Sequence, residues 1–324
     1  MPDRLHDNKG IALILVIWIV AILMVIVLSF AYMSKVESSS MISYKEGVEE
    51  KFIAEAGMER AAEEIIYRQT NLGAPKEEGK ADIWKTDGTP NTFTLGDGTC
   101  LVRIINEAGK IDINKAPDIV LKGLLVAVGV KDEDADTIVD SIEDWRDADD
   151  LVRLHGAESD YYMSLPVPYK AKNADFESIE ELLLVKGMTP EILYGNEKKA
   201  GLADFVTVYN DNGKINISAA PREVLMAIPG MTPELAGNIL DFRTGAEIRS
   251  ETEIQALAGG AYSAIAPFIT AGESTTFSVE SVGRKSANKP GYGIKAVIVV
   301  TGENFSYRYY KGPWDMSKWK QPEQ

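Results

Sequence analysis

The chain has very little cysteine and histidine. Its 324 residues include one cysteine, Cys100, and two histidines, His6 and His155. A single cysteine excludes an internal disulfide, and two histidines are too few for a typical zinc site and argue against a His-based catalytic triad. The strand-like run TCLVRI around Cys100 favours a small buried side chain rather than a reactive thiol.

Basic residues are in the minority. There are 34 Lys and Arg against 49 Asp and Glu, which gives a formal net charge of -15. Nucleic-acid affinity comes largely from basic groups that neutralise phosphates, so we expect no nucleic-acid partner. The hydrophobic content of 45% and charged content of 26% are those of a globular protein. An acidic globular part suits an extracytoplasmic domain that binds divalent cations.

One long segment has no charge at all. It runs from Ile11 to Ser34, and as a helix it would be about 36 Å long, enough to cross a bilayer core of about 30 Å. We predict a transmembrane helix over residues 11–34, preceded by a polar leader over residues 1–10. A secretory signal would be shorter, with a small-residue cleavage site behind it. Two interpretations stay open here: a plain single-pass anchor, or a prepilin-like leader cut after Gly10.

The rest of the chain has strand patterns at both ends and a helical block between them. No proline occurs from Lys35 to Gln69, and helical spacing predicts one long helix that ends near Asn71. The turn signal Gly96-Asp97-Gly98 predicts a hairpin. Strands are predicted at Thr92–Leu95, Thr99–Asn106, Thr276–Val282, Ile294–Thr301 and Phe305–Tyr310. This order predicts an α+β body whose late strands pair with its early ones.

The helical block contains an internal repeat. GKIDINKAPDIVLKGLL begins at Gly109 and GKINISAAPREVLMAI begins at Gly213. Asn114 or Ser218 is expected to cap a helix whose first turn contains the following proline. We interpret the repeat as a duplicated helical unit.

Two segments resemble helix-hairpin-helix motifs: Val224–Arg243, and more weakly Leu182–Leu193. In DNA-binding motifs of this kind the hairpin offers backbone N–H groups to a phosphate. Here Glu234 and Glu191 stand where a cation would help, and each follows a proline that lacks an N–H. We therefore favour a helical packing unit over a DNA-binding one.

An acidic run lies between the repeats, from Ser141 to Tyr162. Its oxygen ligands suit calcium, although the order is not that of an EF-hand. The candidate ligands are Asp144, Asp147, Asp149, Asp150 and Glu158. The alternative interpretation is structural, with Asp144 and Asp147 pairing with Arg146 or Arg153 and capping helices. Nothing in the run singles out a protonated carboxyl for acid–base catalysis, so we predict no catalytic residue.

The order of these motifs resembles general secretion pathway protein K, the K-type minor pseudopilin of type II secretion systems. The resemblance depends on the leader ending at Gly10 and the long helix with AEAGMERA. It also depends on INEAGKIDINKAP, KINISAAPREVL and DWRDADDLVRLHGAESDYY. It covers nearly the whole chain.

The resemblance implies a pseudopilin fold, in which a long N-terminal helix packs on a small antiparallel sheet. A large inserted all-α domain would contain helix-hairpin-helix or SAM-like repeats. The predicted limits are a leader at 1–10, a transmembrane helix at 11–34, pseudopilin parts at 35–108 and 271–315, the insertion at 109–270 and a polar tail at 316–324.

It also implies processing, location and partners. A prepilin peptidase would cut after Gly10, and Ile11 would become an N-methylated N-terminus. The chain would cross the inner membrane once, with a cytoplasmic N-terminus and a periplasmic soluble domain. Expected partners are the I- and J-type minor pseudopilins and an inner-membrane assembly platform, with calcium as the one possible cofactor. The function implied is assembly of the pseudopilus tip rather than catalysis. The alternative is a membrane-anchored, competence-type DNA receptor.

Leu15 is informative within this resemblance. Most prepilins carry Glu at the fifth mature position, which is Leu15 here. A carboxylate in the bilayer is costly unless it has a partner, such as the N-terminal amine of a neighbouring subunit. A subunit with no neighbour above it needs no such acid, and the K-type family lacks it. Leu15 therefore fits a position at the filament tip.

Overall fold

The computed structural model describes residues 9–71, 83–196, 198–210, 212–286 and 289–315. Residues 1–8 of the predicted leader and the predicted polar tail at 316–324 lie outside the described residues. The described part combines one very long helix, a five-stranded sheet and a block of short helices.

A single helix, α1, runs from Lys9 to Asn71, as the absence of proline predicted. Its side chains are exposed from residue 12 to residue 45, and its contacts with the body begin at about Glu46. From there one stripe is buried at helical spacing: Ile53, Ala54, Met58, Ala61, Ala62 and Ile65. The helix therefore has a free half and a packed half.

The packed half of α1 lies on a five-stranded antiparallel sheet. Its strands are β1 (Asp87–Leu95) and β2 (Gly98–Asn106) from before the helical block. The first two are joined by the predicted turn, in which Gly96 has a φ of +61°. In the spatial order the last three strands of the chain follow β2, and the first of these three pairs with β2 in antiparallel orientation. The early and late strands thus form one sheet, as predicted.

The chain between β2 and the late strands forms short helices and very short strands. In order these are β3 (Ile111–Asp112), α2 (Asp118–Ala127), α3 (Asp132–Arg146), α4 (Ser159–Met163), α5 (Pro190–Tyr194), β4 (Val206–Thr207), β5 (Ile215–Asn216), α6 (Arg222–Ala227), α7 (Pro233–Gly245), α8 (Glu251–Ala258), α9 (Tyr262–Ile265) and β6 (Ile269–Thr270). Strands β7 (Thr276–Arg284), β8 (Tyr292–Thr301) and β9 (Asn304–Lys311) then complete the sheet.

Glycines let α1 approach the sheet closely. A Cβ atom built at Gly283 of β7 would lie 2.0 Å from the carbonyl oxygen of Glu50, and one at Gly57 of α1 would lie 2.2 Å from the Ser281 hydroxyl oxygen. The same Ser281 hydroxyl donates a hydrogen bond of 2.8 Å to the carbonyl of Ala54. The Gly in the AEAGMERA segment therefore has a packing role, which brings the helix backbone against β7.

The repeat is visible in the helical block. The two copies form the pairs α2–α3 and α6–α7, and α2 packs against α6. Near the end of each second helix an arginine donates to the carbonyl of the equivalent alanine: Arg146 to Ala116 at 3.0 Å, and Arg243 to Ala220 at 2.6 Å. The α2–α3 hairpin was not predicted; Gly129 in its turn has a φ of +90°, close to the +86° of Gly230.

The predicted helix caps were wrong. Pro117 and Pro221 themselves occupy the N-cap positions of α2 and α6, with extended backbone and no side-chain cap. Asn114 instead exchanges hydrogen bonds with the main chain of Phe176, and Ser218 donates to the carbonyl of Ile248. The side chains of Asp112 and Asn216 accept hydrogen bonds from the main-chain N–H groups of Asn114 and Ser218, and so close the turn before each proline. The side chains of Asn114 and Ser218 are therefore free to bond other segments.

Two hydrophobic cores result. One joins the stripe of α1 to the sheet, with residues from Ile53 to Ile104 and from Phe277 to Val300. The other fills the helical block, from Ile111 to Ile269. The predicted domain limits at residues 109 and 270 stay predictions. The core of the helical block lies between these two positions in the sequence, and the residues of the sheet core lie outside them.

Candidate metal centre and N-terminal helix

The free half of α1 has the properties of a membrane anchor. From Ala12 onward the helix contains a window with a mean hydropathy of 3.3, none of which is buried. It is long and apolar enough to cross a membrane. Gly10 and Ile11 lie in the first turns of α1. Their predicted roles in processing stay predictions.

The acidic run brings three of its five predicted ligands together. One carboxylate oxygen from each of Asp147, Asp149 and Glu158 lies within 4.8 Å of the other two. Asp147 directly follows α3, and Glu158 directly precedes α4. The loop between these helices therefore folds back and closes the cluster, which we call the acidic centre (Asp147, Asp149, Glu158).

The other two predicted ligands lie outside the acidic centre. Asp144 is fully buried, and its carboxylate accepts from the main-chain N–H of Arg153 at 3.2 Å. A Cβ atom at Gly156 would lie 2.0 Å from an oxygen of Asp144, so this contact requires the glycine. Asp150 is exposed and accepts from Asn173 at 3.1 Å. Asp144 thus holds the loop, and Asp150 lies at its edge.

Glu158 has the environment expected of a cation ligand. It is 6% exposed, and neither of its carboxylate oxygens accepts a hydrogen bond from the described protein groups. Burial, and then the charges of Asp144 and Asp147, raise the pKa of Glu158 to about 7. A buried carboxylate without donors needs a proton or a cation. Hard oxygen ligands in flexible loops suit calcium, so the residues fit that ion.

The structural interpretation of the acidic run is also partly correct. Arg153 lies 3.4 Å from Asp144 and 3.8 Å from Asp147. Arg146 does not pair with either of these aspartates, because its guanidinium binds Glu143 and the carbonyls of Ile113 and Ala116. Neither aspartate occupies a helix N-cap in the described chain. One arginine therefore neutralises part of the centre, and Glu158 pairs with no basic group among the described residues.

Asn173 belongs to the same region and was missed. Its side-chain amide donates to the carbonyl of Asp149 at 3.0 Å, and its own amide oxygen is buried and accepts no hydrogen bond from the described protein groups. Its φ is +48°, a conformation that asparagine tolerates better than most residues. Nothing in the sequence links it to a run that ends 11 residues earlier.

The hairpin turns do not offer a phosphate site. Thr232 and Thr189 cap the helices after their turns, accepting from the N–H groups of Leu235 and Ile192 at 3.2 Å. Each helix begins with a proline and has a glutamate in its first turn. The ammonium of Lys186, beside one turn, donates to the carbonyls of His155 and Gly156. The amides and the nearby cation are thus used within the protein.

The architecture is that of a pseudopilin. A long N-terminal helix packs on an antiparallel sheet, and a helical block lies between the second and third sheet strands in chain order. A chain of a solved structure, the GspK–GspI–GspJ complex of the enterotoxigenic Escherichia coli type 2 secretion system, has the same fold. The TM-score is 0.61 at 18% identity, over 86% of this chain and 100% of that one.

Sequence comparisons give more specific similarities. The family model described as Type II secretion system (T2SS), protein K matches residues 101–211. Type II secretion system protein K of Pseudomonas aeruginosa is 29% identical over 253 residues, covering 74% of this chain and 73% of the relative. The protein of the same name in Klebsiella pneumoniae is 26% identical over 56% of this chain and 59% of the relative.

These matches confirm the predicted resemblance to type II secretion system protein K. The chain is similar to proteins named type II secretion system protein K, in its sequence and in a family-model match over residues 101–211.

Proposed function

We propose that this chain is the subunit at the tip of a type II secretion pseudopilus, where it nucleates or caps the filament and has no catalytic activity. The observation that carries the proposal is the helical block inserted into a pseudopilin body. A block of this size would obstruct another subunit from stacking above. Leu15 supports the same position, because it cannot pair with the N-terminal amine of a neighbour.

The proposal includes a membrane location and a processing step. The exposed apolar half of α1 is the single span in the inner membrane. The N-terminus is cytoplasmic, where a prepilin peptidase cuts after Gly10 and Ile11 is N-methylated. The body is periplasmic, and the assembly platform in the inner membrane is a further partner. The absence of charge from residues 11–34 supports this arrangement.

The I- and J-type minor pseudopilins are the proposed direct partners. The likeness to a chain of the GspK–GspI–GspJ complex supports this proposal. On α1, Phe52 is 63% exposed although the helix around it is packed, and an exposed aromatic on an assembly helix suits a subunit contact.

Co-purification with the I- and J-type pseudopilins of the same organism tests the partnership. The full chain should elute with both as one complex. We expect Phe52→Ser to weaken this complex at least about tenfold, since burying an aromatic ring contributes more than 1.4 kcal/mol. Leu95→Ser, at another exposed apolar position on β1, is the matched control and should leave it intact. Failure of the unaltered chain to join an I–J pair that forms normally would contradict the proposal.

The alternative, an anchored DNA receptor, is not favoured. Its hairpin turns carry glutamates and capped amides, and the net charge is -15. Micromolar DNA binding that weakens with salt would restore this alternative and oppose the assembly role.

We also propose that the acidic centre binds calcium. Asp147, Asp149 and Glu158 would supply three carboxylates, and the amide oxygen of Asn173 is a further hard ligand nearby. The ion would replace the proton that burial favours on Glu158 and would hold the loop between α3 and α4. Its role is structural, since no group in the centre is arranged for catalysis.

Calcium titration at pH 8, above the pKa of Glu158, tests the site. We expect saturable binding and a higher unfolding temperature with calcium. Glu158→Gln keeps the shape of the side chain but loses the charge, and should weaken binding at least about tenfold. Asp160→Asn removes an exposed carboxylate on α4, outside the acidic centre, and should bind as the unaltered chain does. Equal affinity for Glu158→Gln would exclude this centre.

A further inference from the structure

The loop beside the acidic centre exposes large aliphatic side chains. Leu151 is 77% exposed, Val152 is 62% exposed and Leu154 is 89% exposed. All eight residues from 148 to 155 are exposed. Scattered exposed leucines are ordinary, but three in four residues form an apolar tip (Leu151, Val152, Leu154) that projects into water at a cost.

The apolar tip is held in place by the residues beneath it. The N–H of Leu151 donates to Asp149 at 2.8 Å, that of Arg153 to Asp144 at 3.2 Å, and that of His155 to Asp140 at 3.0 Å. These bonds fix alternate residues of the loop by their main chain. The aliphatic side chains therefore point outward as a consequence of a specific conformation.

Side chains typical of a lipid headgroup region lie near the base of the tip. Arg153 is 40% exposed, and the ammonium of Lys186 lies 5.2 Å from the centre of the Tyr161 ring. Tyr161 is itself 39% exposed and Met163 is 50% exposed. A cation in the acidic centre would add positive charge at the same level, and three carboxylates leave part of a calcium coordination shell for outside oxygens.

We propose that the apolar tip inserts into the interface of a phospholipid membrane, with calcium and Arg153 facing the phosphates. This inference rests on the proposed calcium site. Aliphatic side chains enter the acyl boundary, while basic groups and tyrosine lie at the headgroups. The exposed Asp150 and Asp160, which lie outside the acidic centre, repel anionic lipid, so the surface expected is a zwitterionic one of phosphatidylcholine or phosphatidylethanolamine.

The test uses the full chain in nanodiscs, which leaves the apolar tip free to meet a second membrane. Nanodiscs are mixed with sucrose-loaded vesicles of phosphatidylcholine and phosphatidylethanolamine, with calcium or with chelator, and the vesicles are sedimented. We expect sedimentation of the nanodiscs with calcium only. Leu154→Asp should lower the apparent affinity at least about tenfold. Ile119→Asp, at a 60% exposed position on α2, should not.

A second measurement reports insertion directly. Cys100 is fully buried and is the one cysteine of the chain, so a dye on Leu154→Cys can be placed selectively. Its emission should shift to the blue with vesicles and calcium, and a dye on Ile119→Cys should not shift. Calcium binding in calorimetry without sedimentation would overturn the membrane inference and leave the calcium site standing. Sedimentation that Leu154→Asp leaves unchanged would also overturn it. Absence of calcium binding would contradict both the proposed calcium site and the membrane inference.

Discussion

Gly283→Ala should destabilise the protein by about 3 kcal/mol or more, because overpacking at a rigid contact has this scale. The added Cβ atom would lie 2.0 Å from the carbonyl oxygen of Glu50 and 2.7 Å from the amide nitrogen of Ala54. Both atoms belong to the backbone of α1, so no rotamer change can relieve the contact. The helix would have to move away from β7 along its whole packed half.

Urea unfolding of the full chain in mild detergent measures this effect. Gly47→Ala is the matched control, since Gly47 also lies on α1 but has no atom within 4 Å of an added Cβ. It should leave stability unchanged or raise it by up to about 1 kcal/mol, the helix propensity of alanine over glycine. If the two variants unfold at the same urea concentration, the close packing of α1 on β7 is wrong.

Arg68→Met should separate the two cores and cost about 3 kcal/mol, the scale of removing one partner from a buried ion pair. Arg68 is 5% exposed near the end of α1. Its guanidinium binds Glu273 at 2.6 Å and Glu247 at 2.9 Å, and it donates to the carbonyl of Trp84 at 3.3 Å. Glu247 follows α7, and Glu273 lies just before β7. Arg68 therefore links the end of α1 both to the helical block and to the segment that leads from the block into β7.

Calorimetry should show one unfolding transition for the unaltered chain and two for Arg68→Met. Adding Glu247→Gln and Glu273→Gln should recover part of the stability, since no carboxylate is then left without its cation. Arg60→Met is the control on the same helix; Arg60 is half-exposed and pairs with Glu63 and Glu64 one turn away, so its loss should cost less than about 1 kcal/mol. One unshifted transition in Arg68→Met would show that the cores are joined elsewhere.

Much of the fold could be predicted from local patterns. The absence of proline predicted α1, and the Gly96-Asp97-Gly98 signal predicted the hairpin. The pairing of late with early strands followed from the order of the elements. The repeat GKIDI and GKINI predicted a duplication that α2–α3 and α6–α7 display. These features depend on hydrophobic periodicity and on turn-forming residues, both of which can be read from residues close together in the sequence.

The features that sequence reasoning missed depend on contacts between residues far apart in the sequence. Asn114 and Phe176 meet across 62 positions, and Arg68 and Glu273 across 205. No local sequence pattern predicts such pairs. The acidic run identified the region of the candidate metal site, but only folding selects Asp147, Asp149 and Glu158 and assigns Asp144 to the loop. The hairpin between α2 and α3 was missed because its turn lacks the PGMTPE motif found between α6 and α7.

The N-terminus of the mature chain tests the central claim most directly. Mass spectrometry of membrane fractions from cells with active prepilin peptidase should find a chain that begins at Ile11 and carries one added methyl group on its amine. The same cells without the peptidase should retain the leader. A chain that keeps Met1 while the peptidase is active would contradict the assignment as a pseudopilus subunit, and would leave α1 as an ordinary membrane anchor.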